Sequence, residues 1–212
     1  MKDNNFNPQK LYARNVAGSS EILQQKCIGI AGCGGLGSNI AVALARAGVG
    51  NMILVDYDLV ELSNLNRQYY FLEDIGELKA LALAKIIKKI NPQINLEVHI
   101  RKLRPQDIKQ IFGDVDLLIE AFDKAESKKW LIDSWLKMQS IKPIICGSGM
   151  GGLGKTAALK VEKSGNIIIC GDQFSEMSQG LAAPRVAIVA NMQANEALQY
   201  LVNCHNSSKG KL

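Results

Sequence analysis

No two of the five cysteines are spaced C-x-x-C, so the chain has no zinc-site pattern, and their odd number leaves a disulfide framework incomplete. Histidine is scarcer still. His99 falls in a strand-like stretch and His205 in a polar C-terminal stretch, so no His-based triad or metal cluster assembles. No apolar run approaches a membrane span, and the first six residues lack the apolar core of a secretory signal. No basic run is interleaved with aromatics, so the net charge of +5 does not by itself argue for nucleic-acid binding. Internal repeats and low-complexity segments are also lacking. Three cysteines lie in or beside buried-strand patterns, where Cys acts as a small hydrophobe. These absences fit a protein of a reducing cytoplasm, with no membrane and no zinc.

What remains is ordinary globular material: 212 residues, 47% hydrophobic and 21% charged, enough for one sizeable core. Apolar strand-like runs fall at 27–31, 52–55, 96–100, 115–121 and 143–146. Helix-like stretches fall at 36–47, 78–90, 105–112 and 125–138. Such alternation predicts a Rossmann-like α/β fold, a mostly parallel sheet with flanking helices. One or two helices are expected within 7–25. After Cys146 the rhythm changes. Runs at 157–161 and 166–170 flank Glu162-Lys-Ser-Gly165 and read as a hairpin. A loop at 171–183 follows, then a last apolar helix from Pro184 to about Val202. One domain is expected over 1–204, with a frayed polar tail at 205–212.

The densest signal is Gly32-Cys33-Gly34-Gly35-Leu36-Gly37-Ser38, between the first strand and the first long helix. Strand, glycine turn and helix form a phosphate-binding arrangement, because free N–H groups and a partial positive charge face the ligand. The next strand ends at Asp56, placed to hold a ribose hydroxyl. Ser63-Asn64-Leu-Asn66-Arg67-Gln68 then sets amides, a hydroxyl and a guanidinium at the carboxyl edge of the sheet, and Arg clamps phosphate oxygens well. Lys79 opens the next helix, where a cation opposes the helix dipole unless it faces an anion. Asp123 follows the fourth strand. It reads equally as a ligand-edge acid or as the N-cap of the following helix. Glu120 and Asp116 lie within the strand run and are less well placed.

Gly149-Met-Gly-Gly-Leu-Gly154-Lys155-Thr156 matches the G-x-x-x-x-G-K-T phosphate loop. A phosphate loop needs a helix after Thr156, and the sequence offers a short run and a turn. The segment is expected to be a flexible loop beside the cleft.

In their order and spacing these residues resemble the ThiF/MoeB/HesA family of adenylating enzymes, related to the ubiquitin-activating enzymes. The resemblance runs from about residue 11 to 201. It rests on the glycine turn, Ala47-Gly-Val-Gly50, Asp56-x-Asp58-x-Val60, Ser63–Gln68, Gly76-x-x-Lys79, Ile90-Asn-Pro92 and Asp123. It implies an ATP- and magnesium-dependent homodimer that activates the C-terminal Gly-Gly carboxylate of a ubiquitin-like carrier as an acyl-adenylate. Gly34, Gly35 and Gly37 would meet ATP, and Asp56 the ribose. Asn64, Asn66, Arg67 and Lys79 would lie about the nucleotide, the last three on its phosphates. Asp123 would bind magnesium, and Arg14 would reach the partner subunit's ATP. The chain departs from the family in lacking both zinc C-x-x-C pairs and any cysteine within the 171–183 loop; Cys170 only borders it. Its compactness resembles the ThiF-type variant of some bacteria, whose carrier would be ThiS of thiamine synthesis. Alternatives are a molybdopterin carrier, an ATP-dependent tRNA dehydratase, a non-catalytic subunit and a nicotinamide dehydrogenase, which shares the turn and the acid but has no use for Arg67, Lys79 and Asp123.

Overall fold

A computed structural model describes residues 6–209. Seven strands form one sheet in the order β3-β2-β1-β4-β5-β7-β6. β1 (Cys27–Ala31), β2 (Asn51–Val55), β4 (Leu117–Glu120) and β5 (Ile144–Gly147) are short, mainly apolar runs that are almost wholly buried, as central parallel strands require. β3 (Asn95–His99) closes one side. On the other side β7 (Ile167–Gly171) pairs parallel with β5, and β6 (Lys160–Ser164) pairs antiparallel with β7. Lys160, Glu162 and Lys163 charge that last edge, which discourages further strand pairing. The chain winds β1-β2-β3 outward, then returns to place β4 on the opposite flank of β1. The order therefore reverses between β1 and β4, the point of an open α/β sheet at which ligands bind beyond the carboxyl edge.

Helices cover both faces. On one, α3 (Gly35–Ala47), α4 (Lys79–Ile90) and α7 (Ala183–Lys209) bury Ile40, Leu44, Leu83, Ile87, Val189 and Leu201. On the other, α5 (Ile108–Phe112) and α6 (Ala125–Met138) bury Ile111, Phe112, Leu131 and Trp135. Two short helices precede β1, α1 (Pro8–Leu11) and α2 (Ser19–Leu23). α3 ends where Gly48 takes φ 98° and its N–H reaches back to the Leu44 and Ala45 carbonyls.

The expected architecture holds, with three shifts. The stretch 105–112 divides into a 3-10 turn, Pro105–Asp107, and the short α5. The hairpin turns at Gly165-Asn166, where Ser164 pairs Ile167, and not over 162–165; Gly165 takes the φ of 55° that so tight a turn needs. Its first strand also starts later than 157, because Thr156–Ala158 forms a 3-10 turn. The last helix does not stop near Val202. Nothing from Asn203 to Lys209 is Gly or Pro, and the helix continues to Lys209. Of the tail expected at 205–212, residues 205–209 thus belong to α7 and 210–212 lie outside the described residues. Among the described residues no helix is long and apolar enough to cross a membrane.

Candidate functional site

The glycine turn joins β1 to α3 at the reversal point. Its glycines serve different ends. A Cβ on Gly37 would lie 1.8 Å from the Gly32 carbonyl oxygen, so Gly37 is fixed by packing. Gly32 takes φ 98° and lies against the Ala121 carbonyl. Gly34 and Gly35 are different. A Cβ on Gly34 would meet nothing nearer than the Gln68 amide nitrogen at 3.8 Å, and one on Gly35 nothing nearer than Val186 at 3.2 Å. Only side chains come near these two positions, Gln68 at Gly34 and Val186 and Arg67 at Gly35, and a 13-residue helix starts there.

Asp56 braces this turn. One carboxylate oxygen accepts the Cys33 N–H at 2.6 Å and the other the Asp58 N–H at 2.8 Å. Burial raises its pKa, against those two hydrogen bonds and Lys79. Lys79 is buried, and its Nζ pairs with the Asp58 carboxylate at 3.1 Å. The Tyr70 hydroxyl lies 2.6 Å from the Cys33 carbonyl and 3.1 Å from that of Lys79, joining turn and helix. Sequence reasoning gives Asp58 and Tyr70 no role of their own. The alternation Asp56-x-Asp58 is the available signal for the first.

The 63–68 segment lies across the start of α3. The aliphatic stem of Arg67 would touch a Cβ on Gly35 at 3.7 Å, and Asn39 donates to the Arg67 carbonyl at 3.0 Å. The Arg67 guanidinium donates to Asn66 Oδ1 at 2.7 Å and to the Ser63 carbonyl at 3.1 Å. Asn66 in turn donates to the Leu181 carbonyl at 3.2 Å, so this segment also meets the loop before α7. Asn64 is buried, its Oδ1 accepting the Glu61 N–H within a 3-10 turn.

Beyond β4 the chain runs over Gly32 to Asp123. The N-cap of α6 is Lys124, which makes no side-chain capping bond, so Asp123 does not cap the helix. Its carboxylate is exposed, with no hydrogen bond or ion pair among the described residues. Glu120 points inward instead, fully buried and paired with Lys128 at 2.9 Å.

The structure thus gathers Gly34, Gly35, Gly37, Asp56, Asn66, Arg67, Lys79 and the Asp123 segment around one crevice. Arg14 is not among them. Its neighbours Tyr12 and Asn15 donate to the Ala45 and Ala47 carbonyls at the far end of α3. That is about 20 Å of helix from the turn.

The Walker-like segment 149–156 is not a phosphate loop. Thr156–Ala158 forms a single 3-10 turn, and β6 follows. Nor does it hang free beside the cleft. A Cβ on Gly149 would lie 2.0 Å from the Asp172 carboxylate, and one on Gly151 1.9 Å from the Glu176 carbonyl. Buried Arg185 donates to the Gly154 carbonyl, to Asp172 and, at 3.4 Å, to the Ser175 hydroxyl, fastening the 172–181 loop to the glycines. The thiols near the site are equally structural. Burial raises the pKa of Cys33 and Cys146 and pushes that of Cys170 up to about 12, so none is a thiolate at neutral pH.

A sequence profile described as the ThiF family matches residues 9–212. The chain is 27% identical over 91% of its length to the adenylyltransferase and sulfurtransferase UBA4 of Candida glabrata, and spans only 46% of that protein. It is 30% identical over 86% of its length to the molybdopterin-synthase adenylyltransferase of Haemophilus influenzae, covering 77% of it. Its fold superimposes with a TM-score of 0.81 on the E. coli tRNA N6-threonylcarbamoyladenosine dehydratase TcdA solved with ATP. That match covers 94% of this chain and 93% of the other, at 22% identity.

Proposed function

The chain belongs to the ThiF family, and on that premise we propose that it uses ATP to adenylylate the C-terminal Gly-Gly carboxylate of a ubiquitin-like sulfur carrier, of the ThiS type. The observation that carries this reading is the convergence of two cations and an unpartnered acid on the open glycine turn. The stem of Arg67 lies beside Gly35, Lys79 pairs with Asp58 behind the turn, and Asp123 holds no partner among the described residues. A dinucleotide oxidoreductase needs the turn and Asp56 but leaves this set idle.

The chemistry follows from charge. A carboxylate oxygen of the carrier attacks the α-phosphorus, the bond from that phosphorus to the bridging oxygen breaks, and pyrophosphate leaves with the electron pair. Nucleophile and target are both anionic, so the protein's task is to align them and neutralise charge. In this reading Asp56 holds the ribose, the turn amides hold a phosphate at the start of α3, and Arg67, Asn66 and Lys79 hold phosphate oxygens. No side chain need act as nucleophile or general base, which agrees with buried, protonated thiols. Magnesium fits the donor set, since it is commonly held by one or two carboxylates together with substrate phosphates and water. Asp123 is the carboxylate left free to hold it, and the ion would supply charge neutralisation on the phosphates. Arg14 enters only in trans, which makes the working unit a homodimer.

ATP–pyrophosphate exchange tests the reading against a panel of Gly-Gly-ending carriers, ThiS-like and molybdopterin-type, with tRNA as a separate substrate. Exchange that depends on a ThiS-like carrier is the expected result. Dependence on another carrier moves the pathway but keeps the reaction. ATP turnover only with tRNA replaces the reaction with one like that named for the E. coli structure.

A further inference from the structure

Asp123 has no tether of its own among the described residues, yet the residues just before it are held at several points. The Glu120 carboxylate accepts the Phe122 N–H at 2.7 Å. Lys128 reaches in from α6 to both Glu120 oxygens at 2.9 and 3.1 Å, and to the Gly147 carbonyl at 3.0 Å. Gln193, wholly buried on α7, donates to the Glu120 carbonyl at 3.3 Å and to that of Ile145 at 3.2 Å. The Ala121 N–H bonds to the Ala31 carbonyl at 2.9 Å, and its own carbonyl presses on Gly32.

A buried ion pair is a poor source of stability, because apolar residues of like volume usually serve as well. This pair does something apolar residues do not: it supplies the acceptor that fixes the Phe122 N–H, one residue before Asp123. We infer that Lys128 and Glu120 are positioning residues, which hold the 121–123 backbone so that Asp123 presents its carboxylate to the metal-bound phosphates of ATP. The inference rests on the nucleotide reading above and deepens it. Lys128 touches no substrate and acts through Glu120.

Lys128→Met alone strands a buried carboxylate and can unfold the chain. The informative variant is therefore the double Glu120→Leu/Lys128→Met, with Lys128→Arg as the conservative control. Calorimetry would compare ATP affinity with magnesium and with EDTA. Tryptophan emission would follow Trp130, whose ring lies 5.8 Å from that of Phe122. In the double variant, the gain in ATP affinity on adding magnesium is expected to fall by about tenfold, the low end of what losing a group that orients a metal ligand costs. Affinity in EDTA stays at the wild-type value, emission changes, and Lys128→Arg behaves as wild type. A folded double variant that keeps the full magnesium gain overturns the inference. So does an equal loss with and without magnesium, which marks a general loosening of the crevice. Wild-type protein that binds no ATP overturns the functional reading itself, and this inference with it.

Discussion

The molecule contains two glycine-rich segments, 32–37 and 149–154, and Gly34 and Gly35 of the first differ from Gly149 and Gly151 of the second. In the second, the space a side chain would fill at Gly149 and Gly151 is taken by Asp172 and by the Glu176 backbone. Those glycines exist so that two stretches of protein can touch. In the first, Gly34 and Gly35 face no backbone, and a long helix begins behind them. There the side-chain positions meet only other side chains, Gln68 at Gly34 and Val186 and Arg67 at Gly35. A glycine pattern alone does not separate the two cases. What separates them is which atoms occupy the missing side chain, and whether a helix follows.

The largest expected effect lies at the first segment. Arg67→Ala and Lys79→Ala should each lower carrier-dependent pyrophosphate exchange at least tenfold, about 1.4 kcal/mol of transition-state stabilisation. Near-wild-type exchange in both would remove them from the site and leave the glycine turn as a packing device like the other.

A matched pair of substitutions sharpens the contrast. Gly149→Ala forces a side chain into a left-handed position, φ 77°, and against Asp172. Strain of this kind costs about 1–3 kcal/mol, and each kcal/mol shifts Tm by roughly 2–4 °C in a chain of this size. Gly35→Ala sits at the start of a helix with Val186 at 3.2 Å as its nearest neighbour. Its Tm should stay close to wild type while ATP affinity falls. Calorimetry and thermal denaturation on both variants test the pair, and an exchange of the two phenotypes would reverse the assignment.

Much of the fold, and the grouping of the candidate residues around the glycine turn, is legible in the amino-acid sequence. Runs such as Cys27–Ala31 and Val115–Ala121 read as strands of a parallel sheet because they are largely apolar, and a glycine turn followed by an Ala-rich stretch reads as a helix start. The placement of Arg67 and Lys79 beside the glycine turn is legible because a cation at the carboxyl edge, or in the first turn of a helix, needs an anion; for Lys79 the structure supplies Asp58. What is not legible depends on distant chain. Lys128 looks like every other lysine on α6, and only the fold shows that it reaches Glu120. The tightness of Gly149 and Gly151 is decided by residues 172–176, and no local pattern announces it. Asp123 is ambiguous in sequence because capping and ligand roles demand the same residue type; the missing capping bond resolves the helix role.

A smaller effect lies in the fastening of the second segment. Burial raises the pKa of Asp172, but the Ser175 hydroxyl and N–H, the Phe174 N–H and Arg185 together hold it below the usual carboxylate value. A carboxylate whose folded pKa is depressed contributes stability above its unfolded pKa of about 3.9, and that contribution is lost as pH falls through the lower folded value. The Tm gap between wild type and Asp172→Asn should therefore be widest near neutral pH and narrow below about pH 4. A gap that is constant from about pH 7 to about pH 3, or that widens in acid, would show that Asp172 does not staple the loop through its charge.

The smallest expected effect is the most direct test of the comparison. Lys155 is exposed, takes φ 50° and precedes a 3-10 turn of three residues. So short a turn brings no helix dipole to a phosphate, and the charge has nothing to complete. Lys155→Ala should leave ATP affinity within a few-fold of wild type. Lys155→Gly should also leave it unchanged while raising Tm slightly, because glycine relieves a left-handed conformation that costs an ordinary residue about 1 kcal/mol. A loss of ATP binding in Lys155→Ala comparable to that in Lys79→Ala would make 149–156 a phosphate loop after all, and the two glycine segments would then share one function.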